Sequence, residues 1–148
     1  MTGELWLDDI ALGRQFRTDV YSVTADAIVE FAAKWDPQPF HVSEQTARDT
    51  FFKGLAASGW HTAAITMRLL VTSGMPVANG IIGAGVELTW PTATRPGDRL
   101  HVEGEVVDIQ AKPDATRGFV TIAYDTVNQD GEVRQSSKAR LLAFAKPR

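Results

Sequence analysis

The segment from 59 to 72 is apolar on almost every side of a predicted helix, and this feature limits the fold more than any other. Its apolar residues are Trp60, Ala63, Ala64, Ile65, Met67, Leu69, Leu70 and Val71. Such a helix is stable only where other elements cover it. Gly74 and Pro76 are stop signals just beyond it. We therefore predict a central helix that is buried nearly all round.

Beyond residue 85 the apolar period changes from that of a helix to that of a strand. Val86, Leu88 and Trp90 alternate with polar residues, as do the apolar residues of 100–106. Turn signals near 95–98, 112–114 and 128–131 divide the C-terminal half into consecutive antiparallel strands. The last of these strands is predicted at about 137–144. The glycine-rich stretch 80–85 is typical of a loop and lacks the strand and helix that a dinucleotide motif requires.

The N-terminal third predicts a strand followed by a short amphipathic helix. Residues 14–23 end in β-formers, Thr24 is a candidate N-cap, and 25–35 has one apolar helical face. The complete order predicts a single α+β domain spanning 1–148, in which a curved antiparallel β-sheet wraps the long central helix. A second copy of the chain could cover the part of the central helix that one sheet leaves exposed, so we expect a homodimer or higher homo-oligomer.

Composition excludes several classes of function. A chain of 148 residues has the length of one domain. Its net charge of -3 means that it lacks the excess of basic residues that binds nucleic acid or an anionic membrane. A local basic patch for a phosphate-bearing ligand stays open, drawn from Arg14, Arg17, Lys53, Arg95 and Arg99. The chain has no cysteine, which excludes thiolate chemistry and disulfides. No leader or membrane-spanning run is evident, so we expect a cytoplasmic protein.

The densest group of chemically capable residues lies where the first helix ends. Asp36 and His41 are five residues apart in a segment stiffened by Pro37 and Pro39. A carboxylate and an imidazole held in this way can share a water molecule and act as an acid/base pair. An equally weighted alternative is structural: Asp36 caps the loop and His41 hydrogen-bonds a backbone carbonyl.

The entrance of the central helix strengthens the catalytic interpretation. Glycines at positions 54 and 59 flank small residues, so the N–H group of Gly59 could stabilise a developing oxyanion. The alternative is that Gly59 only permits tight entry into the helix. His61 is a secondary catalytic candidate, expected near the mouth of a pocket. Three histidines without metal-ligand spacing predict no metal site.

The motif Asp36-Pro37-Gln38-Pro39-Phe40-His41 resembles the Asp-x-Asn-Pro-x-His signature of the MaoC-like dehydratases. This family includes the (R)-specific enoyl-CoA hydratases and adopts the hotdog fold. Supporting resemblances are the segment 54–59 and the strand and turn 90–100, which contains Arg95-Pro96-Gly97-Asp98. The resemblance extends over most of the chain.

The resemblance implies hydration of a trans-2-enoyl thioester, or the reverse dehydration. Asp36 and His41 would activate the water and Gly59 would bind the thioester carbonyl, with Ser58 and Gln38 beside the substrate. The implied substrate is an enoyl-CoA, giving an (R)-3-hydroxyacyl-CoA without a metal or redox cofactor. Gln38 replaces the usual Asn, Ser58 replaces a common His, and Met67 stands where some members have Ser.

Two other functions remain open at this stage. A hotdog acyl-CoA thioesterase would direct water at the thioester carbonyl instead of at C3, and the Asp36/His41 pair favours hydration over this. A non-catalytic acyl-thioester-binding protein is the second alternative. The departures at Gln38 and Ser58 are its best support.

Overall fold

Six antiparallel strands form one sheet in the computed structural model, which describes residues 3–148. The strands run in the spatial order β1-β4-β5-β6-β3, with β2 beside β4, and the sheet is not closed. The C-terminal meander predicted from the period-two pattern is confirmed, since β4, β5 and β6 pair in succession. The bounds are β1 (Gln15–Arg17), β2 (Tyr21–Ser22), β3 (Ile82–Thr89), β4 (Arg99–Gln110), β5 (Arg117–Val127) and β6 (Val133–Phe144).

Among the described residues, four α-helices precede the long strands. Thr24 caps the first one, because its side chain accepts a hydrogen bond from the N–H of Ala27. The last one continues into a π turn at Leu70–Gly74, close to the predicted stop. The helices are α1 (Ala25–Trp35), α2 (Pro39–Val42), α3 (Glu44–Ala47) and α4 (Gly59–Leu69).

The core lies between α4 and the inner face of the sheet. Ile65 and Leu69 of α4 and Leu70 of the π turn are buried against strands whose inward side chains alternate with exposed ones. These inward residues include Leu100, Val102, Val106, Val120, Ile122, Ala139 and Leu141. The predicted sheet around a central helix is therefore confirmed.

One side of α4 is not covered, and the prediction of a helix buried nearly all round is wrong for the single chain. Trp60, Met67 and Val71 are 62%, 47% and 51% exposed. The sheet is open, so it covers the side of the helix that carries Ile65 and Leu69 and leaves the opposite side free.

Two sequence predictions about strands also need correction. The stretch 80–85 is not wholly a loop, because β3 begins at Ile82 and absorbs the glycines through a shift in register between Gly83 and Gly85. The predicted strand at 14–23 is divided into β1 and β2, which both pair with β4. Within residues 3–148 no helix combines the length and apolarity needed to cross a bilayer. The cytoplasmic location stays a prediction.

Candidate active site

Asp36 and His41 are brought together by the turn that joins α1 to α2. Asp36 ends α1, and its N–H group donates to the carbonyl oxygen of Ala32. Pro39 opens α2, where its missing N–H group costs nothing because no partner exists in a first helical turn. Two residues later α2 presents His41, whose N–H donates to the carbonyl oxygen of Gln38. Pro37 and Pro39 thus prevent α1 from continuing, and Pro39 also begins α2.

The imidazole of His41 uses its two nitrogens differently. Nδ1 lies 2.6 Å from the carbonyl oxygen of Ala56, and Nε2 lies 3.4 Å from Oδ2 of Asp36. A carbonyl oxygen can only accept, so Nδ1 carries the hydrogen in the neutral ring and Nε2 keeps a free lone pair. The hydrogen bond from His41 to a backbone carbonyl, which we expected if the pair were only structural, is therefore present. The same hydrogen bond directs Nε2, the basic nitrogen, toward the carboxylate of Asp36.

Asp36 is surrounded by groups that favour its ionised form. Nε2 of Gln38 donates a 2.6 Å hydrogen bond to Oδ1. Partial burial alone would raise the pKa of Asp36, but hydrogen bonds with Ser58 and Gln38 and the charge of His41 outweigh it and hold this pKa below its ordinary value. The carboxyl group is consequently an anion at neutral pH.

The N-terminus of α4 lies beside this pair. Ser58 is buried and caps the helix, since its Oγ accepts from the N–H of Trp60. In the part of the chain that the structure describes, the N–H of Gly59 donates to no backbone or side-chain acceptor. It is therefore free to bind an anionic oxygen at the positive end of the helix dipole.

Gly59 is also required by packing. A Cβ atom at this position would lie 2.6 Å from the ring of Trp90, closer than real contacts allow. Trp90 is fixed in turn, because its Nε1 donates to Oε1 of Gln135. Tight packing and a free N–H group therefore coexist at the helix entrance, and the oxyanion role of Gly59 stays a prediction.

A cavity of about 500 Å³ reaches the site. His41 and Gly59 both line it, together with Thr62 from the next turn of α4. Asp36 does not line this cavity. It contacts His41, which does. The remaining wall consists of Phe51, Phe52, Ala57, Arg134 and the segment from Trp90 to Arg95.

A second cavity, of about 410 Å³, lies between α4 and the inner face of the sheet. It begins at Trp60, the residue after Gly59, and continues past Ala63 and Met67 toward Leu70. Small residues of β3, among them Gly83 and Gly85, leave the space open. Most of its lining is apolar, which suits a hydrocarbon chain.

His61 does not belong to either cavity, contrary to the expectation of a position at a pocket mouth. Its ring is buried and stacks on Phe31 of α1, with ring centroids 4.6 Å apart. Nδ1 has no hydrogen-bond partner among the described residues, and burial lowers the pKa of His61. The side chain is therefore a neutral part of the α1/α4 contact.

The carbonyl of Ala56 and the ring of Trp90 were missed as parts of the site. No sequence signal points to Ala56, because every residue has a carbonyl group and only the fold decides which one faces His41. Trp90 carried a usable signal, since a large aromatic residue five residues before the turn at 95–98 is a candidate for a pocket wall.

Comparisons with known proteins establish the family of this chain. Residues 9–128 match the family model of the MaoC like domain. The protein YdeM of Bacillus subtilis (strain 168) is 36% identical over 126 residues, covering 83% of this chain and 87% of that protein. A MaoC-like dehydratase from Rhodospirillum rubrum has a crystal structure that is similar with a TM-score of 0.94 and 56% identity, covering 97% and 99% of the two chains.

The (R)-hydratase PhaJ1 from Pseudomonas aeruginosa, in its unliganded form, is similar with a TM-score of 0.78 and 26% identity, covering 97% of this chain and 88% of that one. The sheet, the central helix and these likenesses define a hotdog fold. The chain belongs to the family of MaoC-like domains. Its relatives support a hydratase or dehydratase in general.

Proposed function

We propose that this protein hydrates a trans-2-enoyl thioester, or dehydrates the corresponding 3-hydroxyacyl thioester, at Asp36 and His41. The observation that carries the proposal is the 3.4 Å approach of Nε2 of His41 to Oδ2 of Asp36, with Nδ1 engaged elsewhere. Two acceptors side by side bind the two hydrogens of one water molecule and leave its oxygen lone pair free to attack.

The oxyanion forms at the entrance of α4. When water attacks C3, electrons move through the conjugated system to the thioester oxygen. The N–H of Gly59 stabilises that charge, and Ser58 holds the first turn in place by capping it. The attacking oxygen must approach C3 while the carbonyl contacts Gly59, and His41 and Gly59 share one cavity that makes this pose feasible.

The proton balance follows from the two ionisation states. Asp36 is a weak base because its pKa is lowered, so it orients the water and stabilises a charged imidazole. Nε2 of His41 accepts the proton as the C3–O bond forms, and it returns a proton to C2 as the oxyanion collapses. One water molecule is consumed, with its hydroxyl group at C3 and its hydrogen at C2. No metal or redox cofactor takes part, which stays a prediction.

The two cavities support a proposal for where the acyl group and its carrier bind. We infer that the acyl tail occupies the apolar cavity that begins at Trp60, since this space starts one residue after the proposed oxyanion donor. The cavity that reaches His41 then leads the thioester carrier toward Arg95 and solvent. Coenzyme A is the proposed carrier, and (R) stereochemistry is proposed on the likeness to the (R)-hydratase.

We further propose that the protein is a homodimer. The outer edge of β3 has no partner strand within residues 3–148, and Val86 on this strand is 56% exposed. The uncovered side of α4, with Trp60 and Met67, adds apolar surface near the same edge of the sheet. A second copy pairing along β3 satisfies the edge hydrogen bonds and buries this surface.

The dimer is tested by light scattering after gel filtration. Val86→Lys places a charge at the proposed contact and is expected to give the mass of a monomer. Val107→Lys, on β4, is the matched control and should keep the wild-type mass. A monomeric wild-type protein at micromolar concentration would contradict this proposal.

The reaction is tested with a four-carbon trans-2-enoyl-CoA. Hydration removes the conjugated thioester absorbance and releases no free thiol, and this is the expected result. Thiol release would instead indicate a thioesterase, and no change in either signal would indicate an acyl-thioester-binding protein.

A matched pair of variants tests the site itself. Asp36→Asn keeps the shape but removes the charge, and it should lower kcat by about 10²- to 10⁴-fold. Asp26→Asn, in the exposed first turn of α1, should leave kcat unchanged. Equal activity of Asp36→Asn and the wild type would rule out the proposed mechanism.

A further inference from the structure

We propose that Arg95 is a positioning residue for His41, acting through the loop whose Ala56 carbonyl sets the tautomer of the imidazole. Arg95 does not contact His41 in the structure. Its effect passes through the backbone between 52 and 56. The kinetic consequences rest on the proposed function, whereas the effect on the tautomer does not.

The guanidinium of Arg95 is bound to three backbone carbonyls of this loop. Nη2 donates to the oxygen of Phe52 at 2.7 Å, and Nη1 donates to the oxygens of Gly54 and Leu55 at 3.1 and 3.3 Å. A planar group with several fixed donors can hold three carbonyls in one geometry, which a lysine ammonium cannot reproduce. The loop is therefore anchored at three points by one side chain.

The loop between those anchors requires such support. Lys53 has a φ of 60°, in the left-handed region that a residue with a Cβ atom adopts only when its surroundings enforce it. It lies between Phe52 and Gly54, whose carbonyl oxygens both accept hydrogen bonds from Arg95. Without the guanidinium, the backbone on both sides of Lys53 loses these hydrogen bonds.

The loop leads directly into the catalytic contact. Ala56 is fully buried, its N–H donates to the carbonyl oxygen of Phe40, and its own carbonyl accepts from Nδ1 of His41. On the other side, the N–H of Ala57 donates to the carbonyl oxygen of Thr94, the neighbour of Arg95. The direction of the Ala56 carbonyl thus depends on the segment that Arg95 and Thr94 hold.

Arg95 is itself fixed by a buried ion pair. Oδ2 of Asp98 accepts from the N–H of Arg95 and, at 3.0 Å, from Nε of Arg134. Both side chains of this pair are buried, and Arg134 belongs to β6. The restraint on the loop is therefore connected to the sheet through Arg134 of β6.

These contacts also determine what Arg95 does not do. Both terminal nitrogens of the guanidinium already donate to backbone carbonyls, so Arg95 is a weak candidate for binding the phosphates of a carrier. This removes one residue from the basic patch considered from the sequence.

The tautomer is measured directly by ¹⁵N NMR of the imidazole rings at about pH 8.5, where free histidine is neutral. The chain has three histidines, and the His41 signals are assigned by their absence in His41→Gln. The wild type is expected to show Nδ1 protonated and Nε2 unprotonated. In Arg95→Met the two tautomers should be mixed, and Arg95→Lys should fall between these two.

Arg117→Met is the matched control, because Arg117 is an exposed arginine at the start of β5 and should keep the wild-type tautomer. In the hydration assay, Arg95→Met should lower kcat by about 10- to 100-fold with a much smaller change in KM. A dispersed backbone NMR spectrum establishes folding, and Arg95→Lys is the deciding variant if Arg95→Met does not fold.

A folded Arg95 variant that retains the wild-type tautomer would overturn the proposal, as would an equal change in Arg117→Met. A mixed tautomer in Arg95→Met together with a wild type that does not hydrate enoyl-CoA would support the role of Arg95 and refute the proposed function. The two failures are therefore distinguishable.

Discussion

Nε2 of Gln38 donates a 2.6 Å hydrogen bond to Oδ1 of Asp36, so the residue that departs from the family signature still contacts the proposed catalytic carboxylate. Gln38 is exposed, and its longer side chain curves back over two residues to reach Asp36. Ser58, the second departure, also helps to lower the pKa of this carboxyl group. The two unusual residues thus act on one group.

Replacing Gln38 should affect the ionisation of Asp36. Its hydrogen bond lowers the pKa of Asp36, so Gln38→Ala raises this pKa and the carboxylate becomes protonated at a higher pH. We expect the Asp36 carboxyl carbon, followed by ¹³C NMR, to titrate at higher pH in Gln38→Ala than in the wild type. Gln15→Ala, on the exposed strand β1, is the control and should keep the wild-type titration. An unmoved Asp36 titration in Gln38→Ala would contradict this account.

Gly59→Ala should disturb both stability and catalysis. The added Cβ meets the ring of Trp90, so we expect a loss of about 1–3 kcal/mol in the free energy of unfolding, measured by urea denaturation. The displaced helix entrance should lower kcat by about 100-fold.

Two further variants test the cause. The smaller side chain of Trp90→Val makes room for the Cβ, so Gly59→Ala should cost less stability in the Trp90→Val background than in the wild type. Gly3→Ala, where nothing lies within 4 Å of the added atom, should change stability by less than about 0.5 kcal/mol. An equal cost of Gly59→Ala in both backgrounds would show that the ring is not the obstacle.

His61 should make the stability of the protein depend on pH below neutrality. Burial lowers its pKa in the folded state, whereas the unfolded chain binds a proton at about pH 6.5. The unfolded state therefore holds more protons as the pH falls below that value, and the free energy of unfolding decreases until the folded-state pKa is reached.

The variant His61→Phe keeps a ring against Phe31 and removes the titration. Denaturation between pH 5 and 7.5 should show a smaller pH dependence for this variant than for the wild type. His101→Phe is not a suitable control, because Nε2 of His101 pairs with Glu103. Identical pH dependences for His61→Phe and the wild type would exclude His61 as the cause.

Met67 should limit the length of the acyl chain. Its side chain lines the apolar cavity beside α4, and Met67→Ala extends that space. We expect the ratio of kcat/KM for an eight-carbon over a four-carbon enoyl-CoA to rise by about tenfold or more. Val71→Ala shortens a residue on the uncovered side of the helix that does not line the cavity, and its ratio should match the wild type. If Met67→Ala leaves this kcat/KM ratio unchanged, the acyl chain does not bind in the cavity beside α4.

The local sequence predicted those parts of the structure that depend on neighbouring residues. The cap at Thr24, the end of α1 before the prolines and the turns between the long strands are confirmed, because each follows from backbone preferences over a few residues. Prediction was less accurate where strand pairing competes with local preference. β3 is an example, since pairing with β6 makes a strand of residues that contain two glycines.

The pair Asp36/His41 was identified from the sequence because both residues lie in one short, stiffened segment. The sequence by itself also determined the antiparallel meander, through the period of two, and the position of the glycine at the helix entrance. The sequence does not determine the tautomer of His41, because the position of the proton on the imidazole depends on an acceptor that the local sequence does not specify.

Only the tertiary structure decided the long-range contacts of the site and the cover of the central helix. It selected the Ala56 carbonyl as the partner of Nδ1, although Ala56 lies fifteen residues from His41, and it brought Arg95 onto the loop from about forty residues away. It also buried His61 beside Phe31 and left one side of α4 uncovered. These are long-range contacts, and their geometry is fixed by how α4 packs on the sheet, not by the preference of any single segment.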